Sequence, residues 1–301
     1  MTRIRLESIV VLLLAALPIS AQQIAFTFDD LPSHGDLPPG TSRLDVANSI
    51  LTTWREQKMP EVYGFVNGFR LEKDPSQIEV LKAWRAAGQP LGNHTWSHMA
   101  INDHTADEFT ADIAKNETLL GTLMPGQDWH WLRYPFLWEG DTLEKRRAVR
   151  TYLQQHGYRI AQVTMDFEDY LWNNPYARCS AKHDDQAIAR LEQSYLATAD
   201  EYYTLFRDLS RTLYGRDVPY VLLMHIGAFD AHMLPKLIDL YRRRGAHFIT
   251  LEQAEQDPIF SDDPDIALKY GGTLQEQVAA ARHVKIPPNS KPYKELEAIC
   301  R

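Results

Sequence analysis

Five short stretches carry side chains that can do hydrolytic or metal chemistry. Asp29 and Asp30 end the run Ile24–Phe28. Neighbouring residues of an extended chain point to different sides, so one carboxylate can hold a metal while the other faces a substrate. A turn or a helix cap would account equally well for an isolated Asp pair. His94 and His98 are four apart, a spacing that puts two imidazoles on one face of a helical turn. Neutral imidazole suits zinc, and one added carboxylate completes a three-ligand set with an open position. Eleven histidines make chance pairs common, so the spacing alone does not decide. Arg133 closes the run Trp129–Arg133 and calls for a carboxylate partner; Asp29 and Asp30 are available. Asp166 and Asp169 follow the run Tyr158–Met165. His225 ends the apolar run Tyr220–Met224, where a lone His is more often a satisfied core residue than a functional one.

The elements that must position these groups read as alternating strands and helices. Candidate strands cover 24–28, 62–66, 90–93, 129–133, 158–165, 220–225 and 247–250. Between them, helical periodicity covers 44–57, 75–87, 106–121, 142–156, 185–214 and 231–244. Thr105 with Glu108 forms a capping box, and Gly88, Gly157, Gly215 and Gly245 stand where helices should stop. Such alternation implies parallel strands wrapped by helices, and the reading is a distorted (β/α)7 barrel of parallel strands. Every chemistry-bearing stretch then falls at the C-terminal end of a strand. Those ends converge on one mouth, where an active site forms in a barrel. Unrelated roles for each residue do not explain that convergence.

The order of Thr27-Phe28-Asp29-Asp30, His94-Thr95-Trp96-Ser97-His98, Arg133-Tyr134-Pro135-Phe136, Asp166-Phe167-Glu168-Asp169-Tyr170 and Leu223-Met224-His225 resembles the five motifs of the polysaccharide deacetylase family, the NodB-homology group or carbohydrate esterase family 4. The resemblance implies one divalent metal ion, usually zinc, held by Asp30, His94 and His98. It also implies Asp29 as general base paired with Arg133, and His225 as general acid. Asp169 would support His225, with Asp166 the second choice, and the backbone N–H of Tyr134 would hold the oxyanion. The implied activity is removal of acetyl groups from an N-acetylated, or O-acetylated, polysaccharide or oligosaccharide. Two departures bear on the substrate. Leu31-Pro32 stands where the family has Gly-Pro, and Leu takes positive φ less readily than Gly. Tyr170 stands where Trp is usual. Trp138 and Trp172 are candidates to stack on sugar rings, whereas Trp129 and Trp131 read as packing. Other readings are a hydrolase of a small non-sugar amide and a carbohydrate-binding pseudoenzyme; the complete acid, base and ligand set argues against both.

The 301 residues carry a formal charge of −8, and no block of Lys and Arg stands out beyond Arg242-Arg243-Arg244. That balance disfavours nucleic acid, whose affinity comes from neutralised phosphates. Residues 1–21 read as a leader, with Arg3 and Arg5 before an apolar run too short to span a bilayer. Export to the periplasm or beyond follows, with no stable membrane anchor after cleavage. In an oxidising compartment Cys179 and Cys300 would pair. The catalytic domain is read as 24–252, with 253–301 an irregular tail packed on it.

Overall fold

The computed structural model describes residues 22–288 and 290–301, so the leader expected at 1–21 lies outside the described residues. Seven parallel strands form the sheet: β1 (Gln22–Leu31), β2 (Tyr63–Val66), β3 (Leu91–Asn93), β4 (Trp131–Leu132), β5 (Arg159–Ile160), β6 (Tyr220–His225) and β7 (Ala246–Phe248). The order is β5-β4-β3-β2-β1-β6, with β7 also paired to β1. Strands covered on both faces must be apolar almost throughout. Accordingly β1 is buried from Ile24 to Leu31, and all six residues of β6 are buried.

Helices cover the sheet at Arg43–Glu56, Ile78–Ala86, Ala106–Leu123, Leu143–Gln155, Asp185–Tyr214 and Ala228–Arg243. The Thr105–Glu108 capping box forms, and Gly215 ends the long helix in the left-handed conformation (φ 71°) that Gly adopts without Cβ strain. Phe26 and Phe28 pack edge-on against Trp54, and Phe28 also against Trp84, tying β1 to two helices. Among the described residues, no helix is long and apolar enough to cross a membrane.

The single strand expected over 158–165 is divided. β5 pairs with β4, and the chain then crosses to β6, where Met165 bridges Leu222. Thr164 Oγ1 accepts the Val221 N–H there. One segment cannot stay in register with two non-adjacent strands, so the sheet curls round at this point and the barrel is distorted.

The tail is more regular than its polar composition suggests. It contains helices Leu274–Ala281 and Tyr293–Ala298, whose Leu274, Val278 and Leu296 are buried against the body. The helix Asn173–Ala181 also escaped the periodicity argument, being short and opened by two Asn and a Pro. It carries Cys179, which is disulfide-bonded to Cys300 with Cα atoms 5.2 Å apart.

Candidate active site and metal centre

The C-terminal strand ends converge on a cleft of about 520 Å³ lined by Asp29, Asp30, His94, His98, Tyr134, Asp166 and His225. Asp169 lies just behind it, fully buried. A larger groove of about 1070 Å³, between Trp131, Arg147 and Glu255, shares no lining residue with this cleft. Backbone conformation at the rim is unusual. Asp30, Thr95, His98, Phe136, Leu137 and Glu168 all have φ between 56° and 65°. For non-Gly residues this costs of order 1–3 kcal/mol each, and such strain clusters where side chains must be aimed at a ligand.

Asp30 and the two histidines come together, but not through a helix. Residues 94–98 are an irregular turn after β3. The expected helical face is replaced by a loop held from below: Asp112 accepts the Ser97 N–H (2.8 Å), Asn67 Nδ2 donates to the His94 carbonyl (2.6 Å), and Asn93 Oδ1 accepts the Thr95 N–H (2.9 Å). Left-handed Thr95 and His98 turn the second imidazole back toward the first, with ring centroids 4.9 Å apart.

His94 Nδ1 lies 2.7 Å from the Arg133 carbonyl, so this nitrogen carries the proton and Nε2 presents its lone pair. Asp30 Oδ1 lies 3.6 Å from His94 Nε2 and 3.4 Å from His98 Nε2. These separations are too long for hydrogen bonds. They match the roughly 3.4 Å edge of a tetrahedral sphere with bonds of about 2.1 Å. Asp30 Oδ1 is also buried without a hydrogen-bond partner. An orphaned buried carboxylate oxygen facing two imidazole nitrogens fits a cation. The ionisation states agree. Burial lowers both His94 and His98 to about 4, keeping them neutral. Burial by itself would raise Asp30, but above all its hydrogen bond to His34 holds it well below the usual carboxylate range.

Asp29 faces the same cleft, its Oδ2 3.7 Å from His94 Nε2, because left-handed Asp30 breaks the strand alternation. Arg133 Nη1 reaches both its oxygens, at 3.1 and 3.2 Å. Each guanidinium nitrogen is engaged: Nη2 donates to Thr27 Oγ1 (3.0 Å) and Nε to the Ala161 carbonyl (2.7 Å). Burial raises Asp29 to about 6, against the lowering charge of Arg133.

Opposite stands His225. Its ring Nδ1 lies 2.8 Å from Asp169, and its backbone N–H donates to the same carboxylate at 2.7 Å. Burial disfavours the imidazolium, but Asp169, Asp30 and Asp29 outweigh it and raise His225 to about 10. Asp166 does not share this contact. Its Oδ1 accepts the Glu168 N–H (2.7 Å), and burial raises it to about 7. Tyr134 turns its ring into the core against Phe109, leaving its backbone at the cleft.

Of the aromatic candidates, Trp138 lines the neighbouring rim with Phe136 and Tyr270. Trp172 is wholly buried, with Nε1 on Ser194 Oγ (2.8 Å), so it packs the core and cannot stack on a sugar. Tyr170 is exposed at the mouth, edge-on to His225.

Sequence reasoning missed four contributors. Thr27 anchors Arg133. His34 bonds Asp30 Oδ2 at 2.6 Å. The fully buried Asp230 hydrogen-bonds the Asp169 carboxyl, and Asn173 Nδ2 donates to it at 2.7 Å. Thr27 lies within the first motif and His34 just beyond it, so both were open to inspection; Asn173 and Asp230 carried no signal.

Residues 18–161 match the family model described as polysaccharide deacetylase. That stretch ends before Asp166, Asp169 and His225. A peptidoglycan-N-acetylglucosamine deacetylase from Bacillus cereus is 27% identical over 153 residues, 51% of this chain and 48% of that protein. The chain thus spans about half the length of that curated relative. The chitin deacetylase of Colletotrichum lindemuthianum superposes with a TM-score of 0.54 at 19% identity, covering 78% of this chain and 87% of that one. A carbohydrate esterase 4 pseudoenzyme from Bacillus anthracis gives 0.53 at 13% identity, covering 78% and 66%. At these identities the two likenesses speak to fold. Over residues 18–161 this chain is similar to the polysaccharide deacetylase family, the NodB-homology group also called carbohydrate esterase family 4, and its fold is that of the two solved structures.

Proposed function

We propose that the protein is a metal-dependent hydrolase that removes acetyl groups from an N-acetylated polysaccharide or oligosaccharide. The observation that carries this reading is the orphaned Asp30 oxygen facing His94 and His98, set between an Arg-paired carboxylate and an Asp-paired imidazole. In this reading Asp30, His94 and His98 hold one divalent ion, with zinc favoured by the two imidazoles. Such an ion supplies Lewis acidity at the acetyl carbonyl and lowers the pKa of water.

The protein's own groups divide the proton transfers between them. Asp29, held ionised by Arg133, takes a proton from the attacking water. The new C–O bond forms at the acetyl carbon, and the backbone N–H of Tyr134 donates to the oxygen that gains charge. His225, protonated and oriented by Asp169, gives its proton to the sugar nitrogen as the C–N bond breaks. Acetate and a free amino sugar result. Asp166 has no assigned step. An O-acetyl ester fits the same proton inventory. The Cys179–Cys300 disulfide supports an exported protein, since such bonds persist in oxidising compartments.

The test is acetate release from chitooligosaccharides, peptidoglycan fragments and acetylated xylan, with zinc added or removed by chelation. Release from at least one of these, lost with the ion and restored by zinc, is the expected result. Carbohydrate binding with no acetate from any of them would favour a pseudoenzyme and overturn the proposal.

A further inference from the structure

His34 stands in the loop after β1, outside the family motifs, yet its ring reaches the centre. Asp30 Oδ2 lies 2.6 Å from His34 Nδ1. Asp30, ionised, can only accept, so the shared proton belongs to His34 Nδ1. Asp30, His34 and His225 also stand close enough to be considered as a ligand set. Distances separate the two arrangements. A gap of 2.6 Å holds a proton, whereas the 3.4 and 3.6 Å gaps from Asp30 Oδ1 to the other two imidazoles are those of atoms around an ion.

The loop that carries His34 is fixed. Arg43 Nη1 donates to the His34 carbonyl at 2.8 Å, and Nη2 to the Gly35 carbonyl at 2.7 Å. Ser33 N–H closes a turn on the Asp30 carbonyl (2.8 Å). The ring packs against His225 (centroids 4.7 Å) and edge-on to Tyr170 (5.9 Å).

We infer that His34 is a positioning residue for the metal centre: it occupies Asp30 Oδ2 and so presents Oδ1 alone to the ion. It does not itself ligate. The inference rests on Asp30, His94 and His98 holding the ion. Hydrogen-bond partners of ligating carboxylates and imidazoles typically account for 10- to 100-fold in metal affinity.

Two substitutions separate the donor from the ring. H34F keeps an aromatic ring against Tyr170 and His225 but has no N–H. H34N gives up the ring and keeps a donor near the position of Nδ1. Zinc affinity of the ion-free, folded proteins is measured by competition with a chelating dye, with H98A as the reference loss. H34F should bind zinc about 10- to 100-fold more weakly than wild type, and H34N within a few-fold of it. Zinc binding by H34F equal to wild type, with H98A impaired, overturns the inference while leaving the ligand set standing. So does a loss in H34N as large as in H34F. Wild-type binding by H98A instead removes the ligand set, and the inference with it.

Discussion

Asp169 holds His225 twice, one oxygen on the backbone N–H at 2.7 Å and the other against the ring Nδ1 at 2.8 Å. The first contact fixes the end of β6, and the second fixes the tautomer and the tilt of the imidazole. Behind them, Asp230 is raised well above the usual carboxylate range by burial and by Asp169, so it is the neutral member of the pair. Asn at 169 can satisfy only one of the two donors. D169N should lower kcat by about 10²-fold or more, the usual scale for a disturbed proton donor. It should also move the basic limb of the pH profile to lower pH, because the charge that raises His225 is gone. Circular dichroism of the variant checks that the fold survives. Wild-type kcat in folded D169N would remove Asp169 from its supporting role.

Hydrolysis in the proposed scheme needs Asp29 ionised and His225 protonated. Burial raises Asp29 to about 6, and the facing carboxylates raise His225 to about 10 despite its own burial. Activity therefore rises as pH climbs through the Asp29 value and falls as it climbs through the His225 value. A cation at Asp30 lowers both, so the limbs belong at or below about 6 and about 10. Arg133→Met removes the charge that opposes burial at Asp29. The acid limb should then shift to higher pH. Stability should fall by about 3–5 kcal/mol, the range for a buried ion pair that loses one partner. Rate profiles and urea unfolding measure the two effects, and an unmoved acid limb would exclude Asp29 as the base.

Much of this geometry was legible in sequence because it depends on strand ends. β6 runs over the six residues expected of it, and the helix Asp185–Tyr214 over all thirty. Asp30, His94, Arg133 and His225 converge because parallel strands share a direction, and sequence order alone establishes that. Aim was not legible. Helical spacing suggested one face for His94 and His98, whereas two left-handed residues and the Asp112 brace turn them together. Asp230 could not be found, since its role depends on a helix turn packing against Asp169, and no local pattern encodes that contact.

Glu139 joins the tail to the body. It is buried between Arg146 and Arg150, at 3.2 and 2.7 Å, and accepts from Gln162 and from Gln277 of the tail, each at 3.0 Å. Burial pushes its carboxyl up, but the two guanidinium groups and the amide donors prevail and leave it below the usual value of 4.5. A carboxyl lowered on folding adds stability above its unfolded pKa and loses it as pH falls through the folded value. The contribution of Glu139 is therefore present above about 4.5 and fades below it. E139Q should lower the melting temperature at pH 7 and converge on wild type as the pH falls through the lowered Glu139 value. A difference that persists unchanged into acid would show that charge is not what Glu139 contributes.

The disulfide fastens the same tail at its far end. Cys179 and Cys300 are separated by 121 residues, and their bond ties the helix after Asp169–Trp172 to the penultimate residue. Arg178, beside Cys179, donates to the Leu296 and Ile299 carbonyls at 2.9 and 3.2 Å, so the bond lies within an already ordered contact. The tail reaches the cleft as well: Tyr270, Gly271, Glu276 and Lys291 line it, and Lys291 pairs with Glu168 at 3.0 Å. In the chain-entropy model a loop of this length is worth about 4.7 kcal/mol, an upper figure because the tail has other anchors. The double variant C179A/C300A should lose about 2–5 kcal/mol in urea unfolding. Because the wall of the cleft moves with the tail, KM for a soluble oligosaccharide should rise more than kcat falls. Hydrogen exchange should speed up over 291–299 and stay unchanged in β1 and β6, whose pairing does not involve the tail. Equal acceleration in those strands would mean that the bond stabilises the whole fold and not the tail.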